Sequence, residues 1–167
     1  TGTPKGVLVS QRNLVNFCHW CQDVGLFKAR ERMTQFAPFT FDASAGEIFG
    51  GLLAGAELHL LDEATIHDPA ALQRYLTTHA IQFSAFPPAY LQQMDPDAAP
   101  AGFKLLTAGS APTPALVKRW AGRGHYLNGY GPTETTILST STWLSAEADT
   151  ITIGRPIANT QVYLLDA

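Results

Sequence analysis

Short apolar runs recur along this chain, each cut off by proline, glycine or small residues and each followed by a segment with helical periodicity. Residues 33–37 form one run, stopped by Pro38; residues 57–61 and 81–86 form two more, the second halted by Pro87-Pro88. Leu105 and Leu106 begin a fourth that runs into Ala108-Gly109-Ser110-Ala111, and Tyr126 and Leu127 lie in a fifth. Proline cannot donate to a ladder and pushes the residue before it out of helical geometry, so these stops mark strand ends. Helix signals fill the intervals. Ser10 is placed to cap a helix through about Asp23, closed by Gly25, while Asp68-Pro69 and Thr113-Pro114 pair a capping side chain with proline at the first helical position. After Asp42, the residues Ala45, Ile48, Phe49, Leu52 and Leu53 repeat with the 3.6-residue period and are expected to face a core. Residues 136–143 and 160–165 read as closing strands. Strands alternating with helices predict one α/β unit, a doubly wound, mostly parallel sheet covered on both faces in three layers.

In such a sheet the loops at the carboxyl ends of the strands converge, and ligands bind there. Three loops carry the chemistry: residues 41–44, 108–111 and 128–134. In Asn128-Gly129-Tyr130-Gly131-Pro132-Thr133-Glu134, Tyr130 offers a flat face to a purine and Asn128 an amide to its edge. Gly131-Pro132 forces an irregular backbone whose main-chain groups can face a ligand. Thr133 and Glu134 set a hydroxyl beside a carboxylate, suited to a phosphate oxygen and to Mg²⁺. A polar turn after a strand explains the same residues if nothing else supports the site. The small turn at Gly109, Ser110 and Ala111 lets a flat ligand approach the backbone. The opening Thr1-Gly2-Thr3-Pro4-Lys5-Gly6 is a loop of the kind that cradles phosphates, with a plain surface turn as the alternative. Asp42 is either the cap of its helix or a carboxylate presented at the binding edge.

Composition removes other classes. A length of 167 residues with 46% hydrophobic content suits one globular domain and excludes disorder. With 15% charged residues and a net charge of -3 there is no basic footprint for nucleic acid. No apolar run is long enough to span a bilayer and no secretory signal opens the chain, so a cytoplasmic setting is expected. Because the chain begins at Thr1 and not at methionine, it is expected to be a piece of a longer protein. Cys18 and Cys21 have redox spacing, but Leu14, Phe17 and Cys18 share a helical stripe and no second cysteine pair completes a zinc site. Both are expected in the core.

Taken in order, the motifs at 1–6, 41–44, 108–111 and 128–134, with Ile153-Gly154-Arg155-Pro156-Ile157 behind them, closely resemble the adenylation domains of nonribosomal peptide synthetases. Those domains belong to the adenylate-forming, AMP-binding superfamily, which also includes acyl-CoA synthetases and luciferases. The resemblance covers essentially the whole chain. It implies a flavodoxin-like subdomain from the large N-terminal part of an adenylation domain, truncated at both ends, with the small C-terminal lid domain lying outside residues 1–167. It also implies a reaction in which an amino acid carboxylate attacks the α-phosphate of Mg·ATP, giving an aminoacyl adenylate and pyrophosphate. A carrier-protein domain bearing phosphopantetheine would then accept the aminoacyl group.

By the same resemblance Thr1, Gly2, Thr3 and Lys5 belong to the loop over the β,γ-phosphates. Tyr130 stacks on adenine with Gly109, Ser110 and Ala111 on its other side, Asn128 bonds the purine edge, and Gly131 shapes the loop. Thr133 touches the α-phosphate and Glu134 holds Mg²⁺, so Thr133, Glu134 and Lys5 form the catalytic set. Asp42 pairs with the substrate's α-ammonium. The selectivity pocket maps onto Asp42, Ala43, Gly46, Ala85, Leu106, Ala108, Gly129, Ile137 and Leu138. All but Asp42 are apolar or small, which points to an aromatic or bulky apolar amino acid. Two other readings stand beside this one: a piece of an acyl- or aryl-CoA ligase, and a non-catalytic flavodoxin-like nucleotide-binding module.

Overall fold

The computed structural model describes residues 6–166. Helix α1 (Gln11–Asp23) starts where the Ser10 hydroxyl accepts the Asn13 amide, and Gly25 turns the chain out of it at φ +69°. Strand β1 (Arg32–Gln35) follows. Helix α2 (Ala43–Ala45), a π-helical turn (Gly46–Gly50) and α3 (Gly51–Leu53) then run on as one helix. Next come β2 (Glu57–Leu60), α4 (Glu63–His67), α5 (Pro69–Thr78), β3 (Phe83–Phe86), α6 (Pro88–Leu91), β4 (Lys104–Thr107) and α7 (Pro114–Ala121). The chain ends through β5 (His125–Tyr130), β6 (Thr140–Leu144) and β7 (Arg155–Pro156). Asp62, Asp68 and Thr113 cap α4, α5 and α7 through their side-chain oxygens.

Among the described residues seven strands form one sheet in the order β2-β1-β3-β4-β5-β6-β7. The first five are parallel, in the flavodoxin-like order, and β6 and β7 are antiparallel additions at one edge. Alternation along the strands divides the core in two. Phe36, Phe86, Leu105 and Tyr126 join the cluster under α5, α6 and α7, while Met33, Phe83, Leu106 and Leu127 join the cluster under α1. The expected three-layer, doubly wound unit is therefore the observed one. Cys18 and Cys21 are buried free thiols in the second cluster, and burial, with Cys18 adjacent, holds the Cys21 thiol well above its ordinary range.

The structure departs from these expectations at a helix and two closing strands, and it decides between the two readings of Asp42. The helix spanning residues 43–53 turns the opposite face to the sheet: Phe49, Leu52 and Leu53 are 48%, 54% and 63% exposed, whereas Ser44, Gly46, Glu47, Gly50 and Gly51 are buried. The reason is proximity. A Cβ on Gly50 would collide with the Phe27 ring, and one on Gly51 with the Met33 thioether, so only bare backbone fits against that wall. Asp42 does not cap this helix; it is itself in helical geometry (φ -62°, ψ -25°) and its side chain makes no cap hydrogen bond. Residues 160–165 form no strand, and β6 begins only at Thr140 because Thr136 and Ile137 are left-handed. Among the described residues no helix is long and apolar enough to cross a membrane.

Candidate functional site

From β1 the chain crosses to β2 on one side, and β3 then takes the other side of β1. The loops leaving β1 and β3 therefore diverge, and the sheet opens a crevice at their carboxyl ends. A cavity of about 370 Å³ lies there. Eight of the nine expected pocket residues line it: Asp42, Ala43, Gly46, Ala85, Leu106, Ala108, Ile137 and Leu138. Gly129 stands behind the wall. A Cβ on it would lie 2.8 Å from Leu138 Cδ2 and 3.2 Å from Leu106 Cδ1, so its bareness lets both leucines retreat from the cavity. Gly46 is tight in the same way, its absent Cβ 3.0 Å from Phe17 Cε1 and 3.1 Å from Ile137 Cδ1.

The cavity continues to Gly109, Ser110 and Gly131. Gly109 sits at φ +86°, which favours glycine, and the space a Cβ would take is empty to 4 Å. Ser110 and Ala111 are exposed beside it, and Tyr130, at the end of β5, is 51% exposed. The backbone of Gly131 passes so near the turn that precedes β6 that a Cβ would lie 2.6 Å from the Ile137 oxygen and Leu138 Cα. Thr133 and Glu134 follow on an exposed 3₁₀ turn. Asn128 is buried, and its Nδ2 donates to the Thr152 carbonyl at 2.8 Å. The expectations for Thr1, Gly2, Thr3 and Lys5 fall outside the described residues.

The family described as AMP-binding enzyme matches residues 1–167. This chain belongs to that family. Gramicidin S synthase 1 of Brevibacillus brevis is 38% identical over 169 residues, which is 99% of this chain and 15% of that protein. Tyrocidine synthase 2 of Brevibacillus parabrevis is 39% identical over 170 residues, 99% of this chain and 5% of its own length. A crystal structure of a four-domain nonribosomal peptide synthetase bound to AMP and glycine matches with a TM-score of 0.90 and 30% identity, covering 99% of this chain and 13% of that one. The adenylation domain AlmE of Vibrio cholerae, in complex with glycyl-adenosine-5'-phosphate, matches with a TM-score of 0.81 and 26% identity over 92% of this chain and 31% of that one. The resemblance read from the motifs is thus borne out along the whole segment, which spans only a small part of these relatives.

Two features of this AMP-binding segment escaped the sequence reading. Thr136 and Ile137, both β-branched, are left-handed at φ +66° and +71°, a conformation that costs such residues about 1–3 kcal/mol each. They are held by the Ser139 amide donating to the Tyr130 carbonyl at 2.7 Å and the Leu138 amide to the Thr136 carbonyl at 2.9 Å. The strain sets Ile137 on the cavity wall beside Gly131. The second feature is Glu47, buried among the glycines of its helix. Its spacing from Ala43 and Gly50 on one helical stripe was a signal available in the sequence.

Proposed function

We propose that this segment selects the substrate and binds the nucleotide in an enzyme that activates an amino acid as its aminoacyl adenylate for nonribosomal peptide synthesis. One observation carries the reading: Asp42 lines the wall of a largely apolar cavity that extends to Gly109, Ser110 and Gly131. An α-ammonium neutralises that carboxylate, whereas a fatty or aryl acid leaves it desolvated without a partner, at high cost. The other acidic residue of the wall, Glu47, is turned to the amides of Phe36 and Ala37. With Phe17, Phe36, Phe83 and Phe86 around the cavity and no basic or amide side chain on it among the described residues, an aromatic or bulky apolar substrate is the best match.

In this reading the work is positioning and charge stabilisation. The substrate carboxylate attacks the α-phosphorus of ATP and the bond to pyrophosphate breaks, the leaving group departing with the electron pair. Asp42 anchors the ammonium so that the carboxylate faces the Gly109 and Gly131 loops. Tyr130 and the Gly109–Ala111 turn sandwich adenine, and Asn128 Oδ1 accepts from its amino edge. Thr133 donates to the α-phosphate, and Thr1, Gly2, Thr3 and Lys5 supply donors to the outer phosphates. Glu134, exposed on its turn, is the residue that would hold a Mg²⁺ through its carboxylate. That ion would neutralise phosphate charge. A carrier-protein domain with phosphopantetheine and a C-terminal lid domain complete the proposed enzyme.

The test is exchange of pyrophosphate into ATP by the full-length protein, with Phe, Trp, Leu and Ala offered separately and benzoate plus CoA as the contrasting arm. Exchange driven by Phe, Trp or Leu, and lost in Asp42→Ala, supports the reading. Thioester formation with an organic acid and CoA would assign the segment to a ligase instead.

A further inference from the structure

Glu47 takes no part in the chemistry proposed above, yet it is 3% exposed at the cavity's edge. Its Oε2 accepts the backbone amides of Phe36 and Ala37, each at 3.0 Å, and Gln35 Nε2 at 3.3 Å. Its Oε1 is buried and has no hydrogen-bond partner among the described residues. A buried acid with one oxygen unsatisfied is destabilising by itself, so packing does not explain its presence. Its position does. Phe36 and Ala37 lie just past the end of β1, at the start of the loop that carries Asp42, and the helix beginning at Ala43 closes the other end of that loop. Glu47 belongs to this helix, within its π-helical turn, a distortion frequent at functional sites. One carboxylate thus joins the two ends of the segment that presents Asp42.

We propose that Glu47 is a positioning residue: it clamps the loop of residues 36–42 to the helix behind it and so fixes where Asp42 stands against the cavity. The effect on substrate passes through Asp42. Shortening the side chain releases the Phe36 and Ala37 amides and lets the loop drift, which weakens binding of whatever Asp42 holds. The nucleotide loops at 108–111 and 130–134 are not joined to Glu47 by any described hydrogen bond and keep their geometry.

The substrate arm of the test rests on the amino-acid reading; a second arm does not. In the full-length protein, Glu47→Ala and Glu47→Asp are compared with Glu47→Gln, which preserves length and one acceptor oxygen. The alanine variant is expected to raise KM for the amino acid about tenfold or more, the factor carried by losing one hydrogen bond to a charged group, with KM for ATP changed by less than about twofold. Aspartate, whose oxygens are withdrawn by one methylene, should shift in the same direction, and glutamine should restore most of the affinity. Hydrogen exchange of residues 36–42, read by mass spectrometry, should quicken in the alanine and aspartate variants and stay near wild type in glutamine. Equal rises in both KM values, or unchanged exchange in the aspartate variant, would overturn the proposal. If the wild-type protein shows no amino-acid-dependent exchange of pyrophosphate, the substrate reading fails, and hydrogen exchange alone decides the role of Glu47.

Discussion

Replacing Glu47 by Gln should change how the stability of the 167-residue chain depends on pH. Burial pushes this carboxyl from its ordinary 4.5 up to about 7, against the lowering effect of the Ala37 and Phe36 amides and the Gln35 side chain. Desolvation prevails because both amides fall on Oε2 and no described residue serves Oε1. The folded chain therefore holds this proton more tightly than the unfolded chain. The resulting stability is complete below about pH 4.5 and is lost as pH rises through about 7. From 4.5 to about 7, at about 1.4 kcal/mol per pH unit, the loss is about 3 kcal/mol. That is a large share of the roughly 5–15 kcal/mol that holds a domain together. Glutamine does not ionise, so other titrating groups cancel when the two proteins are compared. Urea unfolding from pH 4 to 8, followed by the fluorescence of buried Trp20 and Trp120, measures the difference. Stability of wild type relative to Glu47→Gln should be flat at the acid end and fall between about pH 4.5 and 7. Parallel curves across that range would show that Glu47 is ionised in the folded chain and that the account of its burial is wrong.

Other outcomes follow from the cavity and its loops. Gly131→Ala places a Cβ 2.6–2.7 Å from backbone atoms of Ile137, Leu138 and Ser139, which cannot swing aside; a stability loss of about 1–3 kcal/mol by urea unfolding is expected, and a neutral result would refute the close crossing. Tyr130→Ala should leave stability within about 0.5 kcal/mol, since the residue is 51% exposed, yet weaken binding of adenine nucleotide to the full-length protein by about 1–3 kcal/mol. Unchanged nucleotide affinity, measured by calorimetry, would remove Tyr130 from the site. Gly46→Trp should fill the cavity from the wall beside Phe17 and Ile137 and shift preference from Phe and Trp toward Ala by roughly ten- to a hundredfold. An equal loss with every amino acid would make Gly46 a packing residue only. Since the proposed enzyme works with a C-terminal lid domain, the 167 residues expressed alone should form no adenylate, and adenylate detected by mass spectrometry would contradict that.

Much of this protein is written in local signals. Pro38, Pro87-Pro88 and the caps at Ser10, Asp68 and Thr113 act through the conformations of their own and adjacent residues, so strand ends and helix starts could be read without coordinates. The loops at 41–44, 108–111 and 128–134 were legible for the same reason, and alternation placed them at one sheet edge. The tertiary structure decided what depends on distant neighbours. Periodicity located an apolar stripe on the helix of residues 43–53, but contact with Phe27 and Met33 determined that the glycine stripe faces inward, because only there can the two backbones approach. Residues 160–165 have strand-forming composition, yet a strand also needs a partner strand, and among the described residues none pairs with them, which composition alone could not reveal. The left-handed turn at Thr136 and Ile137 runs against their β-branched preference and follows from Gly131 crossing beneath them. Likewise the burial of Glu47 against the Phe36 and Ala37 amides exists only once β1 and the helix that follows it are packed together, since a carboxylate cannot select those amides before the core brings them within 3.0 Å.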